Sequence, residues 1–163
     1  MAQTDIEWVR INRTFDAPID AVWAMWTDVE LFRKWYGPNG MQVPVAEMDV
    51  RVGGRRKICM QMTMPDRVMT MWFDGEYKEI SAPSRLVYTE SMADEDGNVI
   101  DPKSMGMPDG HPEVTEIVVE LTEKDGQTHM KLTHIGVPSG SQGAGGWQQA
   151  VDKMAALIME RPR

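Results

Sequence analysis

The chain is short of the side chains that cross-link a fold or clamp a metal. Cys59 stands alone among 163 residues. That excludes an intramolecular disulfide and any site built from several thiolates. The three histidines are His111, His129 and His134. His129 and His134 lie five apart in one strand-like segment, so they point to opposite faces and cannot share a ligand. With this donor set no metal site is expected. No apolar run approaches the roughly 20 residues that span a bilayer. No basic segment followed by an apolar run opens the sequence, so no signal peptide is expected and the cytoplasm is the default location. Positive charge is also scarce. The net charge of −8 argues against nucleic acid, whose binding depends on Lys and Arg neutralising phosphates. It argues equally against an anionic membrane surface.

Methionine is what the chain has in excess, with 15 residues against three phenylalanines and three tyrosines. Methionine is flexible and polarizable, so it fills irregular gaps and also adapts to varied apolar ligands. Both readings stand at this point: a lining for a hydrophobic molecule, or a core that uses Met where another uses Leu. At this length a single domain over 1–163 is expected, with a core of useful size.

Residues 6–15 alternate with period two and predict a strand. Val9, Ile11 and Phe15 share one face, and Arg13 falls on the same parity, as a paired buried charge or as the strand's end. Asp16-Ala17-Pro18 reads as a helix start, with Asp16 as the capping side chain. Ile19, Val22, Trp23 and Trp26 then form one apolar stripe. Thr27 and Glu30 have capping-box spacing for a second short helix, which ends at Trp35 before Gly37-Pro38. Strands follow over 43–50, from Ile58 to Met64, and from Val68 to Phe73. Gly53-Gly54 and Pro65-Asp66 supply the turns. Met60, Met62, Met69 and Met71 fall on one face of this hairpin, with Cys59 and Trp72 on the other. Trp72 is a candidate anchor for a homodimer, unless a bulge turns it inward. A strand over 86–92 places Leu86, Tyr88, Glu90 and Met92 on one parity. Residues 93–112 lose all periodicity, as a lid or an excursion would. Two further strands meet at Asp125-Gly126. Residues 138–146 read as a Gly/Ser loop. A final helix carries Trp147, Ala150, Val151, Met154, Leu157 and Ile158 on its apolar face.

This order predicts an α+β fold. An antiparallel sheet of six or seven strands curves round a long C-terminal helix, with two short helices after the first strand. An apolar space between sheet and helix would be lined by Met60, Met62, Met69, Met71, Tyr88, Ile117, Val119, Met130, Leu132, Trp147 and Met154. A hydrophobic small molecule is the expected occupant. Glu90 and His134 are the candidate acid/base residues should the space host a reaction. Against that, Glu is seldom fully buried, so Glu90 is expected at a strand end in solvent. His134 is expected as a hydrogen-bonded structural residue. Arg55-Arg56-Lys57 is expected as a solvated hairpin. It does not match a phosphate-binding loop, and no cofactor is expected.

Motifs run through almost the whole chain in a recognisable order. They are Arg13…Ala17-Pro18, Val22-Trp23, Thr27-Asp28, Arg33-Lys34-Trp35-Tyr36-Gly37-Pro38, Asp49…Val52-Gly53-Gly54, Gly75…Glu79-Ile80, Pro83…Arg85-Leu86-Val87 and Gly145-Gly146-Trp147. In that order they resemble the START-like, or SRPBCC, superfamily of helix-grip proteins. Within it they are most similar to homologues of the activator of the heat-shock-protein-ninety chaperone ATPase. Tyr36 stands where the family usually has a second aromatic before Gly-Pro. The resemblance implies the helix-grip fold and a ligand-accommodating cavity. It also raises chaperone regulation as an alternative function, because fold does not fix partner.

Overall fold

The structure is a computed structural model, and it describes residues 7–105 and 112–160. The first strand, β1 (Trp8–Phe15), leads into helices α1 (Ile19–Thr27) and α2 (Val29–Trp35). Strands β2 (Met41–Met48), β3 (Arg55–Thr63), β4 (Val68–Ser81) and β5 (Arg85–Ala93) follow. After a short 3-10 turn at Pro102–Met105 come β6 (Thr115–Lys124), β7 (Gln127–Pro138) and helix α3 (Gln142–Glu160). The strands form one seven-stranded sheet in the order β1-β7-β6-β5-β4-β3-β2. Every neighbouring pair is antiparallel. The sheet curves, and its inner face carries the core, as expected for the helix-grip architecture.

The helices divide the inner face between them. Helix α3 packs on β1 and β7 and against α1 and α2, while α2 covers β2. Arg13 lies on the inward parity of β1, and its guanidinium reaches across to Asp152 of α3 at 2.8 Å. The pairing explains a cation on that face. The pair is half exposed, so it orients the helix more than it stabilises it.

Several local expectations are corrected. Helix α1 has Pro18 at its N-cap with no side-chain cap of its own. Instead Glu123, brought from β6, accepts from the Ile19 amide at 2.5 Å. The buried stripe is Val22, Met25 and Trp26, with Trp23 at its margin. Helix α2 is capped by Asp28, whose carboxylate accepts from the Glu30 and Leu31 amides. Thr27 donates back to the Trp23 carbonyl, so there is no capping box. Helix α3 begins at Gln142, five residues before the expected start at Trp147. Each glycine costs a helix about 1 kcal/mol relative to Ala, yet two of them serve contact. A side chain at Gly143 would meet Val137 at 2.8 Å, and one at Gly146 would come into ordinary contact with Pro38 at 3.5 Å.

The unpatterned segment after β5 is partly ordered. Asp94 accepts from the amides of Asp96 and Asn98 and from the Asn98 side chain. Ala93 bridges to Val99. His111 lies outside the described residues. At the far edge of the sheet, β2 is irregular between Gln42 and Val45. There the Arg33 guanidinium donates to the carbonyls of Val43 and Pro44, at 3.1 and 3.4 Å.

Candidate functional site

The inner face of β3 to β5 holds a polar cluster that begins with Arg56. Alternation along β3 puts Arg56 on the same side as Ile58, Met60 and Met62, which is the core side. Its cross-strand partner on β4 is Gly75. With no side chain there, the guanidinium crosses β4 and arrives over β5. Gly75 is fixed by a second constraint, since a Cβ on it would lie 1.9 Å from the Thr89 carbonyl oxygen. Arg56 is 2% exposed, against the expectation of a solvated Arg-Arg-Lys hairpin.

Aromatic rings surround this buried cation. Its guanidinium carbon stacks 3.6 Å from the Tyr88 ring centre. Phe32 lies at 5.2 Å, Tyr77 at 5.5 Å and Tyr36 at 6.0 Å. The negative faces of the rings attract a desolvated cation. Glu90 supplies the opposite charge, with Nη1 of Arg56 3.9 Å from Oε2. That is too long for a hydrogen bond, so the pairing is electrostatic.

Glu90 is buried, 9% exposed, where solvent was expected. Its Oε2 accepts from the Tyr36 hydroxyl at 2.8 Å. Tyr36 and Tyr88 hydroxyls lie 2.9 Å apart. With Glu90 ionised, Tyr36 donates to the carboxylate and Tyr88 donates to Tyr36. With Glu90 protonated, the whole chain can reverse. Burial raises the Glu90 pKa, while Arg56 and the Tyr36 hydrogen bond pull it back. Burial and the charge of Glu90 hold Tyr36 well above the usual tyrosine range. Burial likewise raises Tyr88, with Arg56 opposing. The arrangement is a carboxyl poised to hold or pass a proton, backed by two neutral phenols. Arg56 Nε and the Tyr77 hydroxyl are buried without a hydrogen-bond partner among the described residues.

His134 belongs to a second network, on the α3 side. The indole N–H of Trp147 donates to its Nδ1 at 2.8 Å. Nε2 therefore carries the ring proton and faces Thr115 Oγ1 at 2.8 Å. Thr115 donates to the backbone carbonyl of Glu90 at 3.1 Å. The two candidate acid/base residues are thus linked, but through main chain rather than through the carboxyl. Both ring nitrogens of His134 are thus hydrogen-bonded. His129 is exposed and bonded to Thr14 and Asn12.

Of the expected lining residues, all but Met62 and Met69 pack in or against the core, and they differ in access. Tyr88, Ile117, Val119, Met130, Leu132 and Met154 expose none of their surface. The rings of Trp26, Trp35, Tyr36, Phe32 and Trp147 fill the centre, with Trp26 and Trp35 4.7 Å apart edge to face. Met60 and Trp147 are each 8% exposed, and Met62, Met69 and Met71 are half-buried. The residues with remaining exposure therefore lie on the methionine side of the sheet, away from α3. Cys59 and Trp72 sit on the outer face. Burial and Glu95 raise the Cys59 thiol, and Lys57 lies 5.3 Å over the Trp72 ring. Two surface depressions, of about 450 and 430 Å³, lie elsewhere. One is lined by Glu47, Asp49, Arg55 and Lys57, the other by β1 and the first turns of α3. Among the described residues no three His, Cys, Asp or Glu side chains converge as metal ligands.

The cluster was half legible in the sequence. Parity placed Glu90 with Tyr88. What hid Arg56 was the expectation that a basic run is solvated. What hid Gly75 was that its role depends on the strand beside it.

The model of the family described as Activator of Hsp90 ATPase homolog 1-like protein matches residues 16–159. No curated protein matches the chain. A protein of Chromobacterium violaceum superposes with a TM-score of 0.75 at 24% identity, covering 94% of this chain and 97% of that one. One from Nitrosomonas europaea gives 0.73 at 21%, covering 98% and 99%. One from Silicibacter pomeroyi, which bears the same family designation, gives 0.70 at 20%, covering 93% and 98%. At such identities the likeness establishes the fold alone.

Proposed function

The chain belongs to the family of activator of Hsp90 ATPase homologue 1-like proteins, and on that premise we propose that it binds an apolar small molecule carrying one hydrogen-bonding group. The molecule lies along the inner face of β3 to β5, against Met60, Met71, Phe73 and Met92, with its polar end at Glu90. The carrying observation is Glu90 itself. Its carboxyl is nine-tenths buried beside Arg56 and Tyr36, and Tyr36 donates to its Oε2. A mostly apolar surface with a few convergent polar groups is the usual form of a small-molecule site. Met71 and Met92 pack on the core yet stay partly exposed, and methionine re-shapes readily around different ligands.

The test is titration with lipophilic alcohols, phenols and amines, read by quenching of the Trp26, Trp35 and Trp147 cluster. Saturable quenching is expected, and it should be lost in Met71→Asp. Glu90→Gln should weaken hydrogen-bond donors more than their methyl ethers. A panel that gives no saturable response, or a Met71→Asp variant that binds as the parent does, overturns the reading.

A second reading uses the same residues for chemistry. The raised pKa of Glu90 and its reversible link to Tyr36 and Tyr88 suit a general acid or base. Turnover of a bound ligand that vanishes in Glu90→Gln, with binding retained, would select it. Chaperone regulation rests on the family description alone. Capture experiments that recover no chaperone would remove it.

A further inference from the structure

We propose that Met41, Met62 and Met69 form a binding site for a soft monovalent metal ion of the Cu(I) class. These residues lie side by side across β2, β3 and β4. Met41 is the cross-strand partner of Met62, and Met62 is the partner of Met69. Opposed side chains in antiparallel strands share a face, with Cβ atoms about 4.5–5.5 Å apart. Met41 and Met69 flank Met62 from either side, about 10 Å apart across two strand spacings, and their flexible stems can carry all three thioethers toward the point over Met62. A further pair, Met60 and Met71, lies one step deeper on the same face.

The space under the Trp35-Tyr36-Gly37-Pro38 turn is shared by two of these side chains. A Cβ on Gly37 would lie 2.9 Å from both Met41 Cγ and Met60 Sδ. Gly37 has φ of +87°, so its place in the turn and the room it leaves both depend on having no side chain. Met41 and Met60 thus turn toward the same point. Three neutral, soft donors favour Cu(I) or Ag(I) and disfavour Zn²⁺, Mg²⁺ and Ca²⁺, which prefer imidazole, carboxylate or oxygen donors.

Position separates this row from gap-filling methionines. Met25, Met130 and Met154 are sealed in the core with no exposed surface. Met41, Met62 and Met69 are all half-buried, where a flexible side chain gains less from packing and still loses rotamer freedom on ordering. The row borders the ligand surface proposed above but uses different side chains. Its ligands Met62 and Met69 lie one step along β3 and β4 from Met60 and Met71 of that surface, so the two readings are separated by their probes: metal transfer tests this one, and quenching by apolar ligands tests the other.

The experiment uses the full chain under anaerobic, reducing conditions. Cu(I) is offered in competition with a chromophoric chelator such as bicinchoninate, and Ag(I) is titrated in parallel. Transfer of one ion per chain is expected, with shifts of the Met41, Met62 and Met69 methyl resonances. Met62→Leu with Met69→Leu should weaken binding by about tenfold or more, and Met41→Leu alone should weaken it if the pair perturbs folding. Cys59→Ser should bind as the parent does, because the thiol lies on the opposite face. Three outcomes overturn the proposal: no transfer from the chelator, undiminished binding in the leucine variants, or loss of binding in Cys59→Ser.

Discussion

Replacing Arg56 by methionine would remove the buried cation while keeping most of its volume. The charge pair is separated by 3.9 Å, which corresponds to about 4 kcal/mol of attraction at an effective dielectric near 20. The variant escapes part of that loss by protonating Glu90. Arg56 is one of the influences that lower the Glu90 pKa, so its removal raises that pKa further. Holding a carboxyl neutral at pH 7 when its ordinary value is 4.5 costs about 3.4 kcal/mol at 1.36 kcal/mol per unit. The expected destabilisation at pH 7 is therefore about 3 kcal/mol. The sign of its pH dependence is fixed. A carboxyl with a raised folded pKa contributes stability below its ordinary value, and that stability fades as pH rises through the folded value. The deficit of Arg56→Met should accordingly grow as pH rises above the ordinary carboxyl value of 4.5. Urea unfolding read by tryptophan fluorescence measures it. Arg56→Met with Glu90→Gln should recover about 2 kcal/mol, since breaking a buried pair costs more than replacing both members. A deficit that does not change with pH, or a double variant that is merely additive, refutes the reasoning.

Two further substitutions test the neighbouring geometry. Gly75→Ala drives a methyl to 1.9 Å from the Thr89 carbonyl oxygen, so it should cost about 2–3 kcal/mol, in the range of overpacked cores. A melting temperature within a degree of the parent would show that β4 and β5 are not so close. Trp147→Phe removes the donor to His134 Nδ1 and should cost about 1–3 kcal/mol, the range for stranding a buried acceptor. Histidine ¹⁵N shifts should report loss of the single Nε2–H tautomer, and an unchanged tautomer equilibrium would contradict the assigned network.

The fold was legible because its signals are local and periodic. Alternation in β1, β3, β6 and β7 gave strand faces directly, and the spacing from Trp147 to Ile158 gave the buried side of α3. Boundaries were lost where tertiary contact overrides propensity. Gly143, Gly145 and Gly146 look like loop residues, yet α3 runs through them, close against Val137 and Pro38. The cap of α1 was misread for a similar reason, because Glu123 arrives from a strand about a hundred residues away in sequence. The site was legible in its parts. Parity placed Glu90 and Tyr88 together and the methionines together. Statistical expectation then put Glu90 and Arg56 in water, since each is costly to bury singly. That expectation fails when the two are buried as a pair, with rings around the cation and a phenol on the carboxylate.

Arg33 has a consequence at the rim of the sheet. Strand β2 is the last in the order, and an outermost strand offers its free main-chain groups to any extended peptide that passes. Here the carbonyls of Val43 and Pro44 are already occupied by a guanidinium from α2, and Pro44 has no amide hydrogen to give. An incoming chain meets a gap of two residues in what would be its ladder. The same side chain that fastens α2 to the sheet also guards that border against fibril-like growth.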